Sequence, residues 1–268
     1  MDHVITGASR GIGRALAVAL ARRASPGDRI FAVARDRARL ATLAAEAPPC
    51  VPVVADLSTV AAARAAGEDL ARRLSPGAVL VHGAGIWPSR RELAEGLELA
   101  FATNCLAPLA LQAPLLEAGA LARVMVISAG LLVKGRFDGA RTPTGEDFSA
   151  LRTYATTKLA GAAAMRDAAR AHPDVDFLVV HPGVVRTDLG ARDGVLGRVL
   201  ELVKRRWEAP EVCGERLARL LDRPRWERRP GEAPWFVEEA EAPWPDAVVR
   251  DADAVREAVA RLLARRGS

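Results

Sequence analysis

Short apolar runs alternate with longer stretches rich in Ala, Leu and Arg along this chain. HVIT (3–6), RIFAVA (29–34), VPVVA (51–55), AVLVH (78–82), RVMVIS (123–128) and DFLVVH (176–181) are brief and continuously apolar. That pattern predicts strands buried on both faces. PWFVE (234–238) predicts a seventh strand. Between them, 11–23, 36–47, 58–74, 92–118 and 150–171 place apolar residues at helical spacing. Strand and helix alternating over this length predict an α/β fold, a doubly wound parallel sheet of about seven strands with helices on both faces. Neither a repeat of fixed period nor a low-complexity linker interrupts the pattern, so residues 1–268 read as a single domain. Two stretches break the rhythm: a polar Gly/Arg/Pro insertion at 130–149, and 184–231, which holds two helical patterns and a Pro/Trp/Arg-rich loop. Both follow carboxyl ends of strands, where open α/β sheets bind ligands, and 184–231 reads as a substrate loop or lid.

Composition narrows the class. Half of the 268 residues are apolar and 26% are charged, the profile of a soluble globular protein. The net charge is +5, but 33 acids are dispersed among the bases, so the sequence predicts no nucleic-acid partner and only a residual attraction for phosphorylated ligands. Cys50, Cys105 and Cys213 are far apart and lack metal-ligand spacing, which argues against a disulfide framework and predicts no metal site. The first residues show no signal-peptide pattern, and no apolar run approaches the roughly 20 residues that span a bilayer. The expectation is a cytoplasmic protein without a membrane partner.

The chemistry begins at TGASRGIG (6–13), between the first strand and the first helix. Gly7, Gly11 and Gly13 permit a tight turn and let backbone approach a pyrophosphate at the helix N-terminus. A glycine-rich loop is weak by itself; the flanking strand and amphipathic helix supply the context a dinucleotide site needs.

A second signal lies in RTYATTKLA (152–160). The chain holds one tyrosine, Tyr154, and among 38 basic residues writes Lys at only Lys134, Lys158 and Lys204. On a helix, Tyr154 and Lys158 project from one face, one turn apart. A phenol of pKa near 10 is a poor acid or base at neutral pH, and a neighbouring ammonium lowers that value. Lys, a compact charge with three donors, can face the phenol oxygen while holding a ribose hydroxyl; the planar fork of Arg suits carboxylates and phosphates better. The plainer alternative is a surface pair on an amphipathic helix.

With these elements in order, the chain resembles the short-chain dehydrogenase/reductase family over nearly its whole length. TGASRGIG is similar to the family's cofactor loop, ADL (55–57) to the site beside the adenine, HGAGI (82–86) to its Asn-Asn-Ala-Gly element and ATNCLAP (102–108) to its fourth helix. YATTK carries its Tyr-x-x-x-Lys and HPGVVRTDL (181–189) its Pro-Gly…Thr element. The GLLVKGRFDG insertion and the PWFVEEAEAPWPDA tail look most like the retinol-dehydrogenase-like subgroup. The resemblance implies a Rossmann-type fold, Tyr154 as proton donor to a carbonyl oxygen and Lys158 on the nicotinamide ribose. It implies that Asn104 holds a proton-relaying water. It also implies a cofactor cradle of Gly7, Ser9, Arg10, Gly11, Ile12, Gly13, Asp56, Leu57, Gly83, Ala84, Gly85, Pro182 and Gly183, with Val185 and Thr187 at the carboxamide. His181 has no metal-ligand companion and reads as a packed or solvated histidine.

Two departures stand out. The Asn usually found before Ala-Gly is Gly83, with His82 ahead of it, which loosens a strand-stabilising contact. The family's catalytic serine is the second residue of a Ser-Ser or Gly-Ser pair ending the fifth strand; aligned without gaps, that position is Ala129, and Ser128 falls one place early. Adjacent strand residues face opposite ways, so the offset matters, although a bulge would swing Ser128 inward. Ser128 is taken as the substrate-polarising hydroxyl, expected within hydrogen-bonding reach of the Tyr154 hydroxyl, directly or through one water; a site without that serine is the alternative. The second strand ends VARD, placing Arg35 at its tip and Arg10 in the phosphate loop, a pattern of NADP sites; Asp36 next door is the NAD-like feature.

The reading is a single-domain NADP(H)-dependent oxidoreductase interconverting a small-molecule ketone or aldehyde with an alcohol, possible as a homo-oligomer. Two alternatives stay open: a non-catalytic dinucleotide-binding regulator on the same fold, and a sugar-nucleotide epimerase or dehydratase.

Overall fold

The computed structural model describes residues 1–187, 189, 207–226 and 229–265. Six parallel strands form the body of the sheet: β1 (Asp2–Thr6), β2 (Arg29–Ala34), β3 (Cys50–Val54), β4 (Ala78–His82), β7 (Leu121–Ile127) and β8 (Asp176–His181), with a small hairpin β5 (Leu93–Ala94) and β6 (Leu97–Glu98) set apart. β9 (Trp235–Val237) joins parallel to β8, and β10 (Ala240–Ala242) closes the edge antiparallel to β9. The order is β10-β9-β8-β7-β4-β1-β2-β3, an eight-stranded sheet rather than about seven. Chain direction across the sheet reverses between β1 and β4, so the carboxyl ends of these two strands, Thr6 and His82, border the crevice where such sheets take ligands.

Continuous apolar strands are what a sheet covered on both faces requires, and their residues divide by parity. Val4, Val124, Val126, Phe177 and Val179 belong to one core, Ile5, Met125, Ile127, Leu178 and Val180 to the other. The first core is covered by α3 (Val60–Ala71), α4 (Leu99–Glu117), α5 (Ala150–Ala171) and α7 (Asp246–Ala264); the second by α1 (Gly11–Ala21), α2 (Arg37–Glu46) and α6 (Pro210–Leu221). Local chemistry starts several of these helices. Asp36 accepts from Arg39 N–H at 3.0 Å, Thr59 from Ala62 N–H at 3.2 Å, and Glu98 from Phe101 N–H at 2.8 Å.

The predicted strands all appear within a residue or two of their expected bounds. Helical periodicity over 92–118 holds only from Leu99. Ahead of it, Glu95 and Gly96 both take positive φ (52° and 77°) and turn the hairpin β5–β6 instead. Periodicity in the tail went unread: Val248, Val255, Val259 and Leu262 are buried on one face of α7, which packs along α5. Of the two helical patterns within 184–231, one is α6; the other lies outside the described residues. The expectation that no run is long and apolar enough to span a bilayer needs correction, because α4 meets that test by length and composition. Most of α4 is buried, and it passes between α3 and α5 as a core helix.

Two glycines let helices approach at backbone distance. A Cβ on Gly67 of α3 would lie 2.2 Å from the Leu111 carbonyl oxygen of α4, and one on Gly214 of α6 would lie 2.6 Å from the Ala15 carbonyl carbon of α1. Backbone has no rotamer with which to yield. Gly67→Ala is therefore expected to destabilise the protein by about 1–3 kcal/mol through overpacking, despite the better helix propensity of Ala. Urea denaturation followed by circular dichroism checks this; an unchanged or higher midpoint would contradict it.

Candidate active site

Gly7 and Gly11 adopt positive φ (74° and 56°), carrying the chain from β1 over the start of α1. A Cβ on Gly7 would lie 2.8 Å from Ala84 Cα, and one on Gly13 would lie 2.5 Å from the Gly7 oxygen, so the turn is closed to larger residues. Thr6 ties this loop to the one after β4: its hydroxyl accepts from Gly83 N–H and Ala84 N–H, both at 3.1 Å. Arg10, at the N-cap of α1, makes no side-chain cap, so the amide groups of the first turn remain directed at whatever anion sits there.

These loops form one end of a cavity of about 760 Å³ whose lining includes every sequence-predicted site residue except Asn104. Beside its rim stand three guanidinium-bearing residues, Arg10, Arg35 and Arg39, the last not anticipated from sequence. Arg35 lies 3.9 Å from Asp56. Asp36 is already engaged: its carboxylate caps α2 and pairs with Arg39 Nε at 3.2 Å. Asp56 accepts from Ser58 N–H at 3.0 Å, shaping the turn after β3, and Leu57 is buried beneath it.

At the other end, Tyr154 and Lys158 sit one turn apart on α5, both buried. Burial pushes the Tyr154 phenol up from its ordinary value and the Lys158 ammonium down to about 8. For the phenol, burial acts in the direction opposite to the lowering expected from the neighbouring ammonium. Lys158 Nζ instead donates to the Ile127 carbonyl at 2.9 Å.

Asn104 is buried in a π-helical turn, Ala102–Leu106, inside α4, the kind of irregularity that re-aims a side chain. Its Nδ2 donates to the Ile86 carbonyl (2.9 Å) and the Thr157 hydroxyl (3.0 Å), and its Oδ1 accepts from Ile86 N–H (2.9 Å). Thr157 in turn donates to the Tyr154 carbonyl at 2.9 Å. Both amide hydrogens are consumed, so the carboxamide clamps the loop after β4 to α5. Trp87, next along that loop, stacks on the Tyr154 ring with centroids 4.5 Å apart and planes 9° from parallel.

The two departures resolve differently. His82 is fully buried and bonded to Gln112 at 3.1 Å, and burial holds its imidazole down to about 4, hence neutral. A Cβ on Gly83 would come within 2.8 Å of the Thr6 oxygen. Ser128 and Ala129 both line the cavity just beyond β7. Ser128 Oγ is buried and has no hydrogen-bond partner among the described residues, so the direct bond to Tyr154 is absent. Thr103 Oγ1 and His181 Nδ1, also on the cavity lining, are buried and unpartnered as well. Buried polar atoms left without partners on one cavity wall are positions a polar ligand would satisfy.

Pro182 and Gly183 follow β8, and sequence gave no hint of what secures them. Arg216 of α6 donates through Nη2 to the Pro182 carbonyl at 2.9 Å and pairs with Glu208. Glu208 also accepts from Arg186 N–H (2.8 Å) and donates its own N–H to the Val184 carbonyl (3.2 Å). This pairing uses the groups of Val184 and Arg186 rather than those of Val185, which lines the cavity together with Thr187. Among the described residues no cluster of His, Cys, Asp and Glu could hold a metal ion.

The glycine cradle, the uncapped α1 N-terminus and the orphaned hydroxyls fit a dinucleotide and a carbonyl group. Comparison with known proteins agrees. A family model described as short chain dehydrogenase matches residues 3–194. The chain is 36% identical over 199 residues to the putative daunorubicin C-13 ketoreductase DnrU of Streptomyces sp. (strain C5), covering 70% of this chain and 67% of that protein. It is 29% identical over 212 residues to retinol dehydrogenase 14 of Homo sapiens, covering 70% of this chain and 62% of that protein, so more than a third of the latter is unmatched. An alcohol dehydrogenase from the archaeon Thermococcus sibiricus, complexed with 5-hydroxy-NADP, superposes with a TM-score of 0.65 at 26% identity, covering 91% of this chain and 99% of that one. An NADPH-bound carbonyl reductase from chicken fatty liver shares the fold, with a TM-score of 0.64 at 22% identity, 91% of this chain and 98% of that one. The chain belongs to the short-chain dehydrogenase/reductase family, oxidoreductases built on a Rossmann fold.

Proposed function

We propose that the protein is an NADP(H)-dependent oxidoreductase that interconverts a ketone or aldehyde with an alcohol, using Tyr154 as general acid and base. The observation that carries the reading is the placement of Tyr154 and Lys158 on the lining of the same cavity that begins at the glycine loop. A nicotinamide dinucleotide supplies or accepts the hydride when bound. This chain's residues do the rest. Gly7, Ser9, Gly11, Ile12 and Gly13 would receive the pyrophosphate, Asp56 and Leu57 would lie by the adenine, Gly83, Ala84 and Gly85 would line the ribose side, and Val185 and Thr187 would hold the carboxamide. Burial keeps Tyr154 a neutral phenol, the form that can donate a proton, and Lys158 remains predominantly protonated at neutral pH. Asn104 fixes the segment before Trp87 and leaves only a lone pair of Oδ1 for a relaying water. Residues 184–231 serve as the substrate loop of a single-domain enzyme, and a cytoplasmic site of action, with homo-oligomers, suits the family reading. The ketoreductase similarity and retention of the Tyr154–Lys158 pair favour an enzyme over a non-catalytic regulator.

NADPH should bind at least tenfold more tightly than NADH, about 1.4 kcal/mol, because Arg10, Arg35 and Arg39 line the glycine-loop end of the cavity and would pair with a 2′-phosphate, while Asp36 is committed to α2. Fluorescence titration with each cofactor measures the ratio, and equal affinities or a preference for NADH would sink the idea. Tyr154→Phe should remove most NADPH-dependent turnover and leave cofactor affinity nearly unchanged, whereas Lys158→Ala should weaken both. Near-normal kcat in Tyr154→Phe would rule the mechanism out. Ser128→Ala should cost on the order of 10²-fold in kcat if its orphaned hydroxyl polarises the carbonyl. Little effect from that change, together with a gain in Ala129→Ser, would transfer the vacancy to position 129.

A further inference from the structure

Tyr154 is held from outside its own helix by a residue that no spacing in the sequence marks. The Trp87 indole lies 4.5 Å from the phenol ring and within 9° of its plane. Its Nε1–H donates to the Ala150 carbonyl at 2.8 Å. Ala150 opens α5 and Tyr154 lies one turn further on, so the indole spans that turn, pinned at one end and stacked at the other. The residue before it is fixed too, since both main-chain groups of Ile86 are held by Asn104, and Asn104 donates to Thr157 of α5. The circuit Asn104–Ile86–Trp87–Tyr154–Thr157 starts on α4, crosses the loop after β4 and ends on α5. It gives the phenol ring one orientation and closes one of its faces to water.

We propose that Trp87 is a positioning residue for the reaction: it fixes the plane of the Tyr154 phenol, covers one of its faces and aims its hydroxyl into the cavity. This rests on the reading of Tyr154 as the acid. Stacked rings gain modest attraction, so the larger effect is geometric. A phenol free to rotate about its side-chain torsions spends less time in line with a bound carbonyl, and displacements near 1 Å cost about 10²-fold in rate. The charged and titratable groups facing the phenol are few among the described lining residues. Lys158 comes from α5 itself and His181 from the end of β8; Asp36, Asp56 and the three arginines belong to the glycine-loop end. α4 contributes Thr103, which is uncharged, and the Trp87 loop contributes no ionisable side chain to the cavity.

Because Tyr154 is the sole tyrosine, the near-ultraviolet absorbance of phenolate during an alkaline titration reads this residue alone, with no cofactor or substrate present. In the native protein the phenolate should form only well above the ordinary phenol value of about 10. Trp87→Ala should move that midpoint downward by about one pH unit or more. It should also lower kcat for 4-nitrobenzaldehyde with NADPH by about tenfold or more while changing KM less. Trp87→Phe, which keeps a stackable ring but loses the bond to Ala150, should restore most of both. A native midpoint at the ordinary value, or a folded Trp87→Ala protein whose midpoint does not move, overturns the proposal. Should Trp87→Ala fail to fold, Trp87→Leu is judged by the same criterion. The two readings fail separately. A shifted midpoint with Tyr154→Phe still active would defeat the catalytic assignment and leave the contact standing; an inactive Tyr154→Phe with an unmoved midpoint would do the reverse.

Discussion

One buried carboxamide holds the Tyr154 end of the cavity together. Asn104 interrupts α4 with a π turn and spends both amide hydrogens and an oxygen lone pair on Ile86 and Thr157. A buried amide without those partners would lose several kcal/mol of hydration uncompensated, by order of magnitude, so the geometry is strongly enforced. Because Ile86 precedes Trp87 and Thr157 lies between Tyr154 and Lys158, the same bonds decide how the indole meets the phenol. Gly85 and Gly161 supply the room: a Cβ on the first would lie 3.4 Å from both Asn104 Oδ1 and Lys158 Nζ, and one on the second 3.0 Å from the Asn104 carbonyl oxygen.

The cavity has two electrostatic characters. Toward the glycine loop it is open, with guanidinium groups at its rim and carboxylates already committed to backbone. Toward Tyr154 it is lined by buried groups, and burial raises the phenol and lowers the Lys158 ammonium. A charge brought to that end interacts more strongly than one in water. Arg216 belongs to neither end, yet it couples them to the fold by securing Pro182 and, through Glu208, the base of the loop that follows β8.

The site departs from its family's pattern at the end of β7. Ser128 does not pair with Tyr154 in this structure, and its hydroxyl shares the cavity wall with two other unpartnered polar atoms. Such atoms are costly in a sealed core and reasonable on a surface built to be covered by a ligand.

The strand runs, the helical periods, the glycine loop and the Tyr154–Lys158 pair were all legible in the sequence, because each rests on local chemistry. Side-chain parity fixes which strand residue faces which layer, 3.6-residue spacing fixes which helix residues share a face, and glycines allow what a Cβ would block. The start of α4 was misread because two adjacent positive-φ residues form a hairpin whose periodicity imitates a helix; α7 was missed although its apolar spacing was present. What sequence could not supply were contacts between residues distant in the chain. Trp87 on Tyr154, Arg216 on Pro182, Arg39 beside Arg10 and Thr6 beneath Gly83 have no fixed spacing and no local signature. They exist because the sheet order brings the loops after β1, β4, β7 and β8 to one edge, and only the packed molecule decides which side chains then touch.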